Sequence, residues 1–125
     1  MDYESRDKLL RIHNNWDDEL NKIVYFKNMD VSMLENLIIN EFINPYDNQN
    51  NSPNVIEIFN FMVEFPQVFA EGYIVGPTRN DYRITIDQLS VTKELETEKL
   101  TRAFKLLCNN ADAITTTDGL NAWWD

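Results

Sequence analysis

The stretch whose reading decides the fold is residues 68–91, VFAEGYIVGPTRNDYRITIDQLSV. Two runs rich in β-branched and aromatic residues, 68–75 and 82–91, flank Gly76-Pro77-Thr78-Arg79-Asn80, which supplies turn residues, so a β-hairpin is predicted. Side-chain size suggests its register: Ile74 facing Tyr82, Gly72 facing Ile84 and Ala70 facing Ile86 set small residues against large ones on one face. The opposite face then shows Phe69, Glu71, Tyr73, Arg83, Thr85 and Asp87. A slip of one residue would place Glu71 against Ile86 in the core, and an unpaired buried carboxylate is costly.

Before the hairpin, helical periodicity dominates. Leu9, Ile12, Trp16, Leu20, Ile23 and Val24 recur at three- and four-residue spacing, which predicts a helix from a Ser5 cap to near Lys27. Ser32-Met33-Leu34-Glu35 reads as a capping box opening a second helix that runs to about Ile43. Residues 44–52 are polar and aperiodic, a surface loop. Ser52-Pro53 then reads as N-cap and first helical residue of a third helix over residues 54–64. Its polar positions Glu57, Asn60 and Glu64 share one helical stripe, and its nearly complete apolar circumference predicts a central place in the core.

After the hairpin, Thr92 is expected to cap a long helix over residues 93–109 that buries Leu100, Ala103, Phe104 and Leu107. Its acids come first and its bases last, as the helix dipole favours. A short strand over residues 114–116 and a capped helical turn follow, with Trp123 and Trp124 expected to dock into the body of the protein. The expected fold is therefore α+β: a single domain over residues 1–125 with three N-terminal helices, an antiparallel β-hairpin extendable to a three-stranded sheet, and a long C-terminal helix.

Charge gives the nearest thing to a functional signal. Between Lys27 and Arg79 there is no lysine or arginine, yet Asp30, Glu35, Glu41, Asp47, Glu57, Glu64 and Glu71 lie there; the flanks hold the other 14 acids against all 11 bases. A one-signed field selects partners of opposite sign. The net charge of −10 and pI near 4.4 argue against direct binding of nucleic acid or anionic lipid, which need clustered cations. The start of the chain lacks the basic and apolar regions of a signal peptide, and no stretch approaches a membrane span. With only one cysteine, Cys108, no intramolecular disulfide can form, and a cytoplasmic location is expected.

Catalytic and metal signals are sparse. His13 is the only imidazole, so any Ser/His or Cys/His mechanism would run through it, with Asp17 one helical turn away. Cys108 follows Leu106 and Leu107 and reads as a packed thiol. The run Asp47-Asn48-Gln49-Asn50-Asn51-Ser52 fails as a calcium loop, because Ser52 replaces the glycine and Ile58 stands where a bidentate glutamate is needed. Neither Asp17-Asp18-Glu19 nor Glu94, Glu96 and Glu98 converges on one side of a helix. No cofactor is expected. The leading expectation is a non-enzymatic, acidic protein-binding module of immunity-, antitoxin- or inhibitor-like character, using Glu57, Glu64, Phe69, Glu71, Tyr73 and Arg83 against a basic protein partner. The alternative is a small enzyme or ligand-binding domain built on His13 and carboxylates.

Overall fold

The computed structural model describes residues 2–18, 22–77 and 79–125. The first element is the helix α1 (Tyr3–Leu10), whose cap is Asp2: its Oδ1 accepts the Ser5 N–H at 3.1 Å and its Oδ2 the Ser5 hydroxyl at 2.7 Å. Arg11 turns left-handed at φ 56°, and the helix ends there, far short of the expected Lys27. The apolar stripe predicted beyond it divides in two. Trp16 is buried in the following loop, with its indole N–H donating to Asp7 at 2.7 Å, whereas Ile23 and Val24 open a strand, β1 (Ile23–Met29). Ile23-Val24-Tyr25-Phe26 is β-branched and aromatic, and pairing with the hairpin outweighs the local helical spacing. Glu19 and Leu20 lie outside the described residues.

The helix α2 (Val31–Ile39) is capped by Asp30, which accepts the Met33 N–H at 2.8 Å; the cap is two residues before the expected Ser32, and the helix stops before Ile43 because Glu41 turns left-handed at φ 60°. In α3 (Val55–Glu64) the capping box is Asn54 and Glu57: Glu57 N–H donates to Asn54 Oδ1 at 2.9 Å and Asn54 N–H to Glu57 Oε1 at 3.1 Å. Ser52, the expected cap, instead accepts the Gln49 N–H at 2.8 Å and folds the preceding loop. The helix buries Val55, Ile58, Phe61 and Met62 and exposes Glu57, Asn60, Val63 and Glu64, so it covers one side of the core and is not enclosed all round.

The hairpin is present as β2 (Phe69–Val75) and β3 (Arg83–Val91), joined by a turn in which Thr78 lies outside the described residues. Its register is two residues from the expected one, with Ile74 opposite Ile84 and Gly72 opposite Ile86. A shift of two preserves the face of every side chain, so the predicted inner and outer faces survive. Asp87 is then an extra residue, because Glu71 pairs with Gln88 and Ala70 with Leu89. This bulge reverses the alternation and turns Leu89 and Val91 into the core beside Ile84 and Ile86. Gly72 is obligatory beside the bulge: a methyl group there would lie 1.8 Å from the Thr85 carbonyl oxygen.

Residues 93–109 do not form one helix. Lys93–Leu95 is a single 3-10 turn, Glu96 is extended, and α4 (Glu98–Leu107) begins at a Thr97 cap whose hydroxyl accepts the Leu100 N–H at 3.1 Å, while Thr92 makes no such bond. The expected helical turn at the end is also a strand. β4 (Ala113–Thr115) and β5 (Leu120–Trp123) form a second hairpin around Gly119, and β5 pairs with β3. Among the described residues, the anticipated three helices, hairpin and long terminal helix are thus replaced by four α-helices and a five-stranded antiparallel sheet of order β1-β2-β3-β5-β4, within an α+β architecture. Local periodicity could not reveal this, because β1 and β5 are specified by partners distant in sequence. Leu34, Leu37, Ile58, Phe61, Met62, Leu100 and Phe104 from the helices join Phe26, Ile74, Ile84, Ile86 and Leu89 from the sheet in one buried cluster.

Candidate functional site

The helices cover one face of the sheet. On the other, Tyr25, Lys27 and Trp123 are exposed and Glu71, Asp87 and Gln88 are half-buried, and among the described residues that face carries no helix. Here the strand alternation of β1, β2 and β5 and the bulge at Asp87 bring together side chains from four strands. They line a groove of about 450 Å³ whose rims are Tyr25, 74% exposed, and Trp123, 39% exposed. Glu71 and Asp87 sit between them, and Lys27 lines the same groove. Burial raises the Asp87 carboxyl above its ordinary value, and the charge of Glu71 adds to the rise. Among the described residues no lysine or arginine makes a salt bridge to either carboxylate.

The other expected hairpin residues lie on this same face but are engaged within the chain. The Tyr73 ring meets that of Tyr25 edge-on, with centroids 5.9 Å apart, and its hydroxyl donates to Gln49 Oε1 at 3.2 Å. The Arg83 guanidinium lies 5.7 Å from the Tyr73 ring centroid and forms a 3.3 Å salt bridge with Asp81. Phe69 is half-buried opposite Ser90. Glu57 and Glu64 stand apart from this group. They lie on the solvent side of α3, which packs on the inner face of the sheet, and Glu57 is occupied in the capping box.

Sequence reasoning missed Tyr25 and Trp123 as site residues because the strands that carry them were read as helix. The signal for Tyr25 was present in the β-branched and aromatic run at Ile23, whereas nothing local distinguishes Trp123, which faces the groove, from Trp124, 1% exposed in the core. His13 is exposed on the loop after α1 and has no helical pairing with Asp17. It lines a shallow depression with Asp7, but that carboxylate already receives the Arg6 guanidinium at 3.0 Å and the Trp16 indole. Arg6 is itself buried against the faces of Trp16 and Tyr82, a packed ion pair that ties α1 to the core. Cys108 is buried, and burial pushes its thiol up to about 12, away from the range of a reactive thiolate.

Among the described residues no group of three or more His, Cys, Asp or Glu could hold a metal ion, and no helix is long and apolar enough to cross a membrane. No protein family matches the chain, and comparison with curated proteins and with solved structures finds no similar protein.

Proposed function

We propose that this chain is a non-enzymatic, cytoplasmic, acidic protein-binding module that engages a basic protein partner through the helix-free face of its sheet. The observation that carries the reading is the pair Glu71 and Asp87, set side by side on an open face with no lysine or arginine in salt-bridge contact among the described residues. Like charges left unoffset cost stability, and a cation brought by a partner removes that cost. The net charge of −10 supplies the long-range part, drawing a basic partner toward the surface before contact. Tyr25 and Trp123 add amphipathic rings of the kind concentrated at interface hot spots.

Affinity capture with two baits tests this. The natural chain is expected to retain a basic protein that a Glu71→Lys, Asp87→Lys variant of native circular dichroism loses. Equal recovery on both baits, or recovery of acidic partners alone, would remove the sheet face from the function.

A further inference from the structure

Resting on that reading, the geometry points to the group the face recognises: the guanidinium of an arginine carried by an extended segment of the partner, laid across the strands. Glu71 pairs with Gln88 and Gln88 with Trp123, so β2, β3 and β5 present these side chains in one row, with Tyr25 diagonal to Glu71 on β1. Strands spaced about 4.8 Å apart give a row of roughly 14 Å, the reach of about four extended residues. Glu71 and Gln88 occupy its middle, with the Asp87 carboxylate next to Gln88 at the bulge, and an aromatic ring stands at each end. A central cation flanked by less polar residues complements that order in charge and in length.

Arginine suits the groove better than lysine. The planar guanidinium spreads five donors over one fork, which can donate to carboxylates on neighbouring strands while its face rests against an aromatic ring. It is also less strongly hydrated than an ammonium, which matters where the acceptor, Asp87, is already half removed from water. The cations of this face leave the position open. Lys27 lines the groove without a salt bridge to either acid, and Arg83 is held by Asp81 and stacked on Tyr73.

Capped hexa-arginine, hexa-lysine and hexa-citrulline peptides are suitable probes, titrated into the labelled protein at low salt and followed by the Trp123 indole N–H and the backbone amides of Tyr25, Glu71 and Asp87. The expected result is that hexa-arginine moves these resonances and binds about fivefold or more tighter than hexa-lysine, with no binding by the neutral peptide. Glu71→Gln with Asp87→Asn should weaken hexa-arginine roughly tenfold, whereas Glu57→Gln with Glu64→Gln, equal in charge change, should cost no more than about twofold. Tyr25→Ala alters an exposed ring with no change in charge, so it should lower affinity about threefold in a protein that still folds. Equal loss in the two acid pairs would overturn the groove and leave the basic-partner reading standing. Equal binding of lysine and arginine would overturn the choice of guanidinium. Movement of the same resonances on concentrating the protein alone would make a second copy the occupant and overturn the proposal, and no binding of any cationic peptide would bring down both this inference and the reading beneath it.

Discussion

Asp87 has no partner on β2, yet its backbone carbonyl accepts the Trp124 N–H at 2.9 Å, so one residue both bulges toward the groove and anchors the end of the chain to the sheet. Its raised carboxyl pKa has a consequence for stability. An acid whose folded pKa exceeds its unfolded value opposes folding while it is charged, and that opposition fades as pH falls through the folded pKa toward the unfolded value near 3.8. Asp87→Asn should therefore stabilise the protein at pH 7 by on the order of 0.5 kcal/mol, a figure kept small by solvent screening of a half-exposed group. The gain should vanish by about pH 3 and shrink in high salt; urea unfolding at both pH values would show it. Gly72 carries the opposite prediction. Gly72→Ala forces a methyl group into the Thr85 carbonyl, and a loss of about 3 kcal/mol in denaturant unfolding is expected. The turn residues around 76–80 pointed to the hairpin from sequence, but the need for glycine at residue 72 follows only from the close approach of the β3 backbone beside the bulge.

At the scale of elements, the second and third helices were legible and their ends less so, whereas the first and last expected helices were overlong. Each of α2, α3 and α4 begins at a residue with a capping side chain, but Asp30, Asn54 and Thr97 hold those positions in place of Ser32, Ser52 and Thr92. Several cap-competent residues stand near each start, and packing selects among them. Thr97→Ala should cost about 1 kcal/mol and Thr92→Ala close to nothing, measured by thermal unfolding of the two variants. In α3, Phe61 is buried and its ring packs tilted against that of Phe65, with centroids 5.1 Å apart, whereas Phe59 is half-exposed. Phe61→Ala is expected to destabilise by about 3–5 kcal/mol and Phe59→Ala by clearly less. The hairpin faces were legible because alternation survives a register error of two, while the bulge was not, since Ile84 and Ile86 followed by Leu89 and Val91 make sense only once Asp87 is set aside. Reading Ile23-Val24-Tyr25-Phe26 as helix was the costliest error, because it hid the strand that carries Tyr25.

For the whole molecule, the charge of −10 and the basic-free stretch between Lys27 and Arg79 predict an association that responds to salt. Raising salt from about 50 to 500 mM should slow association with a basic partner markedly and change dissociation less, since screening acts on the encounter; stopped-flow or surface-binding kinetics would separate the two. Under the proposed binding mode, charge reversal at Glu71 and Asp87 should raise dissociation as well, because there those side chains would form the contact, whereas reversal at Glu64 should act through the encounter alone. The acidic block itself was legible from composition, but its division was not. The fold sends Glu57 and Glu64 to the solvent side of α3 and Glu71 to the opposite face of the sheet. By itself, then, the sequence determined the quantities that depend on neighbours a few residues apart or on totals: the α+β mixture, the second and third helices, the central hairpin with its two faces, and the sign of the field. Only the tertiary structure decided the five-stranded order, the bulge at Asp87, and the meeting of Tyr25, Glu71, Asp87 and Trp123, because strands find partners by long-range pairing and burial, which no local period encodes.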